Sequence, residues 1–145
     1  MKSIPLLSIP AVLLHVLLMG GSGVDAAWLT LTLPSGTEFS LTSGTAVLAI
    51  AERGGLIGIG FWEEVTCDDT PAGIAASIAA AIDLVGEDHV SLGSDFDGAV
   101  RTRFDASELA ALTQALMDKG LAEPTIAKVM GGNMVRFLGQ ALPAQ

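Results

Sequence analysis

Asp95 and Asp97 are the residues of this sequence best placed to do chemistry. They lie in His89-Val90-Ser91-Leu92-Gly93-Ser94-Asp95-Phe96-Asp97-Gly98, where Val90 and Leu92 mark a short buried strand that runs into a glycine-bounded acidic turn. In an extended chain the two aspartates share one side-chain parity and Phe96 takes the other. Strand ends are where α/β enzymes deliver polar side chains to loop-built pockets, so a carboxylate at this point reads as catalytic. The same residues also read as an Asp-Gly turn that only closes a strand. The local pattern carries both readings equally.

Other reactive residue types are few. Cys67 is the single cysteine, which excludes an intrachain disulfide and a thiolate zinc cluster, and a catalytic thiol would need a histidine from elsewhere. Cys67 reads as a small packed side chain. His15 and His89 are the two histidines, and neither has the spacing of a metal-ligand pair. Both read as structural. Glu63, Glu64, Asp68 and Asp69 form an acidic stretch that could touch a cation and reads more simply as a solvated loop. The Gly58-Ile59-Gly60 run lacks the third glycine and the immediate helix of a dinucleotide loop, and Gly20-Gly21-Ser22-Gly23-Val24 misses a nucleophile elbow at Val24. The seven basic residues are scattered, so nucleic acid is not an expected partner, although Arg101 and Arg103 can meet a carboxylate locally.

The elements that must position these groups follow from length and pattern. With 145 residues, 50% apolar and a formal charge of -9, the chain is an acidic globular sequence with room for one core. It is short for a (β/α)8 barrel, which needs roughly 200 residues or more. Residues 1–26 resemble a signal-like leader: Lys2, an apolar run from Ile4 to Met19, then small residues up to Ala26. Pro5, Pro10 and a run shorter than the about 20 residues of a membrane span weigh against an anchor. Sequence that is not native coding sequence is a third reading of this stretch. Residues 27–48 form a β-rich segment of uncertain affiliation, with a hairpin expected from Trp28 to Leu41 around Pro34-Ser35-Gly36.

The rest of the chain reads as α/β. Ala46–Arg53 is expected to be helical and stopped by Gly54-Gly55, and Leu56–Trp62 to be a strand buried on both faces. Thr70 and Pro71 open a helix whose Ile74, Ile78, Ile82 and Val85 form one stripe, with Gly86 as its stop. A second strand at residues 89–94 completes a βαβ unit, which places Phe61, Trp62 and Asp95 at one cleft. Asp105 and Glu108 match a capping box for a helix carrying Leu109, Leu112 and Leu116, stopped by Gly120. Pro124 opens another helix, with Ile126 and Val129 inward, that Gly131-Gly132 breaks. Asn133 is read as the cap of a last helix, Arg136 as a surface charge, and Val135, Phe137, Leu138 and Leu142 as packing residues.

The segments AIAERGGLIGIGFWEEVTCDDTP, IDLVGEDHVSLGSDFDG, FDASELAALTQALMDKG and VMGGNMVRFLG resemble the C-terminal part of the renal (membrane) dipeptidase type of zinc dipeptidase, peptidase family M19. The resemblance runs from about Ala49 to Leu142. It implies an amidohydrolase-type (β/α)8 barrel, of which residues 49–145 would supply the last two β/α units and the C-terminal helices. It also implies two zinc ions that activate water against the peptide bond of a dipeptide. Asp95 matches the family's strand-eight aspartate, which contacts the substrate amino end and handles the proton passing to the leaving amine. Asp97, Phe61 and Trp62 would line or support the substrate pocket.

Departures from the family pattern shape the expectation for this chain. The family's HxD pair, bridging glutamate, two strand-end histidines and substrate-carboxylate arginine have no counterpart here. Residues 1–45 do not resemble the segment expected before strand seven. The chain is therefore read as a truncated or fused C-terminal piece, with no metal ligand of its own, no zinc bound by the isolated chain, and no dipeptidase activity alone. Two non-enzymatic readings stand beside this one: a fragment or subunit that self-associates or packs against a chain completing the barrel, and a small exported binding protein. Export or membrane association depends on the leader being genuine; otherwise the chain is expected in the cytoplasm.

Overall fold

The computed structural model describes residues 13–16, 28–32, 38–66, 68–96, 98 and 100–142. Strands β1 (Leu13–Val16), β2 (Trp28–Thr32) and β3 (Glu38–Thr42) precede helix α1 (Ser43–Glu52). Then come β4 (Leu56–Ile59), the single turn α2 (Glu63–Thr66), α3 (Pro71–Val85) and β5 (Val90–Leu92). Helices α4 (Leu109–Asp118), α5 (Glu123–Ala127) and α6 (Asn133–Ala141) close the sequence. One sheet has the order β1-β4-β5 with parallel pairing throughout; the other is the antiparallel β2-β3 hairpin. β1 lies within the leader-like stretch and pairs Leu13 with Leu56 through Val16 with Ile59. No described helix is long and apolar enough to cross a membrane.

Local signals explain the βαβ unit. All four residues of β4 are buried, as an apolar strand covered on both faces requires. The Thr70 hydroxyl accepts from the Gly73 amide, Pro71 occupies the first turn, and Gly86 ends α3 at φ 85°. Ile74 and Ile78 of the α3 stripe are fully buried, while Ile82 and Val85 pack at the edge of the same core. α3 lies on β4 and β5, and α4 lies on α3 through the buried Leu112 and Leu116. α5 contributes Ile126 to this core, and Val129 follows from the segment joining α5 to α6.

Several boundaries differ from the sequence expectation. The strand read as 56–62 leaves the sheet after Ile59; Trp62 instead makes an isolated antiparallel bridge to Thr102, and Glu63–Thr66 form a helical turn rather than a loop. The second strand stops at Leu92. At α4 the Asp105 carboxylate accepts from the Ser107 amide at 2.8 Å, but no reciprocal bond from Glu108 closes a capping box. One tight turn, Ala106–Glu108, precedes the helix instead. Gly131-Gly132 breaks the helix as expected: Lys128–Gly132 links α5 to α6 across a kink where Gly131 leaves helical geometry at φ 158°. On α6, Phe137 is buried, whereas Val135, Leu138 and Leu142 are 73%, 42% and 62% exposed and do not pack. Asn133 caps nothing, because its side chain points elsewhere, as described below.

Candidate functional site

Parallel pairing of β4 and β5 puts both strand C-termini on one edge, and the two following loops meet there. The strands approach closely: the Gly93 amide donates to the Ile59 carbonyl at 2.9 Å, and a Cβ on Gly93 would stand 2.8 Å from the Gly58 carbonyl carbon. Only a residue without a side chain lets the chain pass at that separation. Two residues on, Asp95 adopts a left-handed backbone with φ 59°. Aspartate tolerates this region better than most residues, and a held non-glycine there marks a constrained turn. The Gly98 amide closes that turn onto the Asp95 carbonyl at 3.0 Å. The Asp95 carboxyl lies over Gly98, where a Cβ would meet its atoms at 2.6 to 2.7 Å.

The extended parity that would aim Asp95 and Asp97 the same way therefore does not apply at Asp95. Asp97 lies outside the described residues. Trp62 is half-buried and bridges to Thr102. Phe61 is fully buried and so is withdrawn from the cleft that strand parity suggested. Its ring packs edge-on against Phe96 at 5.6 Å between centroids and tilted against Phe104 at 5.4 Å. Phe96 and Phe104 also meet edge-on at 6.2 Å. Such geometries suit the ring quadrupoles and add to the area they bury. Phe61 thus supports the residue next to Asp95 instead of offering a surface to a ligand.

Arg103, which the sequence placed only as able to meet some carboxylate, lies beside the same loops. Its Nε donates to Asp69 Oδ1 at 2.7 Å, with the Asp69 side chain 14% and Arg103 60% exposed. The Asp69 charge holds the guanidinium pKa above its ordinary value. Asp68 does different work: its carboxylate accepts from the Thr70 hydroxyl and amide, which lowers its pKa. Thr102 and Phe104 were missed altogether. Their signal was weak, since Phe104 opens the family-like FDASEL segment but nothing local names its partners.

The opposite edge of the sheet is built from polar contacts. Asn133 is 2% exposed, and its amide donates to the carbonyls of Glu87 at 2.6 Å and Val90 at 2.8 Å. Arg136 donates to the Asp88 carbonyl, and Lys128 pairs with Glu87 and Asp88. Thr125 donates to the Glu87 carboxylate as well. The Lys128 ammonium, aided at Glu87 by Thr125, holds both carboxyls below their ordinary range, while they raise the Lys128 pKa. His89 Nδ1 lies 2.9 Å from the Gly55 carbonyl; a carbonyl can only accept, so Nδ1 carries the proton. His89 is structural in this role. The His15 and Cys67 side chains lie outside the described residues.

Among the described residues, no three histidine, cysteine, aspartate or glutamate side chains come together where a metal ion could be held. The donor set they offer does not fit a two-zinc centre, which takes several nitrogen or carboxylate ligands on each ion.

A parallel βαβ unit with an aspartate held at the strand C-termini defines the class: an α/β fold with its candidate site in the loops after the strands. Within that class, the chain belongs to the membrane dipeptidase family, peptidase family M19, whose profile matches residues 45–144. It is 37% identical over 98 residues to the dipeptidase aclJ of Aspergillus oryzae, covering 62% of this chain and 23% of that protein. Among solved structures it is similar to dipeptidase AC, a metallopeptidase of family M19, with a TM-score of 0.62 at 28% identity over 70% of this chain and 32% of the other. A metallopeptidase from Rhodobacter sphaeroides, solved with a phosphinate mimic of the dipeptide L-Ala-D-Ala, gives a TM-score of 0.60 at 28% identity over 68% of this chain and 31% of its own. The chain thus spans about a quarter of the length of the fungal dipeptidase and about a third of each solved structure.

Proposed function

We propose that this chain carries the amine-side carboxylate of a dipeptidase site, and that β4 and β5 correspond to strands seven and eight of a (β/α)8 barrel. The observation that carries the reading is Asp95, presented at the end of β5 in a left-handed turn closed by Gly98. In this role the ionised carboxylate pairs with the ammonium of a dipeptide. It accepts a proton as water adds to the peptide carbonyl and gives that proton to the departing amine. Trp62, half-buried beside the same loops, is the nearest candidate for contact with a substrate side chain. Asp97 keeps its proposed supporting role from the family resemblance alone.

Zinc in this family implies a metal-held water, and the residues described here do not supply its ligands. The isolated chain is therefore proposed to be inactive and zinc-free. Metal content and dipeptide hydrolysis of the purified chain in zinc-supplemented buffer, with Asp95→Ala as control, test this. No zinc and no hydrolysis are expected. About two ions per chain together with hydrolysis lost in the Asp95→Ala control would overturn it.

A second reading, a subunit that packs against another chain, is favoured by one observation: Val135, Leu138 and Leu142 lie exposed along α6. Sedimentation of the purified chain checks it, with a concentration-dependent rise in mass expected and a monomer at all concentrations counting against it. Residues 1–26 are proposed to direct export, their cleavage taking β1 from the three-stranded sheet. N-terminal sequencing supports this with a mature start near Ala27 and refutes it with Met1 retained in the cell.

A further inference from the structure

We propose that Arg103 and Asp69 are positioning residues for Asp95: their ion pair fixes the strap of residues 100–104 on the N-terminus of α3 and so sets where the Asp95 carboxyl stands.

The contacts run from a rigid element, through the strap, to the residue next to Asp95. α3 is anchored at its start by Thr70, whose hydroxyl accepts from Gly73 and whose amide donates to Asp68 at 2.9 Å. Asp69 sits between those two capping residues and is largely buried, so its carboxylate has a fixed place. Arg103 reaches it at 2.7 Å. On either side of Arg103, Thr102 bridges to Trp62 and Phe104 packs on Phe61 and Phe96. The strap thus meets the loop after β4 through a backbone bridge, an aromatic trio and one charge pair.

Phe104 of the strap packs on Phe96, the neighbour of Asp95, and the Asp95 carboxyl lies against Gly98. If the strap lifts, Phe96 loses this ring contact, and the turn that holds Asp95 at positive φ loosens with it. Aromatic packing resists lifting but is weakly directional in the plane of the rings, whereas the Nε–Oδ1 bond is directional. The pair therefore selects one register of the strap among those the rings would allow. Arg103 and Asp69 touch neither substrate nor reacting atoms in this scheme; they act through the backbone of the strap. The importance of the position they set rests on the reading of Asp95 as the working carboxylate.

The test uses the full chain with Arg103→Gln, Asp69→Asn, the double variant and Arg103→Lys. The Asp95 carboxyl 13C resonance, amide exchange at Ser94, Asp95 and Phe96, and exchange at Glu87–Val90 on the opposite edge are followed by NMR. Each neutralising variant is expected to move the Asp95 carboxyl resonance and to raise exchange at Ser94–Phe96 about two- to fivefold, the size expected for one partly exposed charge pair. The double variant should do no more than either single one, Arg103→Lys should restore part of the effect, and exchange at Glu87–Val90 should stay as it was. An Asp95 resonance unmoved in both single variants, exchange rising equally at both edges, or effects that add in the double variant would overturn the proposal. Neither metal nor dipeptide enters this test, so failure of the hydrolysis reading and failure of the positioning role are told apart.

Discussion

At the N-terminal ends of β4 and β5, polar side chains bind backbone: Asn133 and Arg136 donate to carbonyls of the Glu87–Val90 segment, His89 donates to Gly55, and Lys128 neutralises two carboxylates. At the C-terminal ends, three phenylalanine rings and a single charge pair close the loops, and the Asp95 carboxyl stands in a turn over a glycine. The first arrangement spends its polar groups on the scaffold's own backbone and on one another, which makes it a lock. The second holds its loops mainly with apolar contact and keeps a carboxylate out of the scaffold's hydrogen bonds to the strand. In parallel α/β enzymes stability is built at the N-terminal ends of the strands and chemistry at the C-terminal ends; the site proposed for this chain lies at the latter.

The sharpest way to break that contrast is to empty the aromatic cluster. Phe61 is fully buried, so Phe61→Ala is expected to cost about 3–5 kcal/mol in urea unfolding. If the cost is under about 1 kcal/mol, the rings are not what holds the Asp95 edge. Asn133→Ala tests the other edge, where it strips one buried and one part-buried carbonyl of their partner; a loss of about 1–3 kcal/mol is expected, with amide exchange rising at Glu87–Val90 and not at Ser94–Phe96. Equal loosening at both edges would show that they are one unit. Thr70→Ala removes a helix cap and an exposed hydroxyl contact to Asp68 and should cost about 1 kcal/mol, read from the unfolding midpoint.

The smallest expected effect is on pH. Glu87 and Asp88 have lowered pKa values in the fold, so their contribution is present above the ordinary carboxylate range and disappears as pH falls through the lowered values. Lys128 has a raised pKa, so its contribution is complete below the ordinary lysine value and disappears as pH rises through the raised one. The difference in urea midpoint between the unaltered chain and Lys128→Met should be flat at neutral pH and shrink toward both extremes. A difference that persists unchanged into strong acid would mean that packing of the lysine stem, rather than its charge, joins the C-terminal helices to the sheet.

What could be read from the sequence was what short-range physics decides. Thr70-Pro71 and Gly86 delimit α3 because cap, fixed φ and positive φ are properties of single residues. The acidic turn after β5 was legible for the same reason. Long-range partners were not. Asn133 follows two glycines and looks like a cap, but its acceptors are 46 and 43 residues away in sequence. The end of β4 is likewise decided by Thr102, which draws Trp62 out of the sheet. At the site, the position of Asp95 was visible, while its left-handed backbone, the withdrawal of Phe61 and the Arg103–Asp69 pair depend on how two loops meet. The outward α6 residues were misassigned because an apolar residue at helical spacing states that a face exists, not that it is covered.

Asn133 also governs how the sheet can lengthen. β5 is a border strand, and border strands offer unpaired amides and carbonyls as a template for any further strand. The first carbonyl of that template, Val90, is already engaged by a side chain from α6. A strand arriving alongside β5, from whatever source, has to share the Val90 carbonyl with that side chain or start its ladder further on. The register of such an addition is thus biased before the newcomer binds, by one amide group seated at the foot of the template.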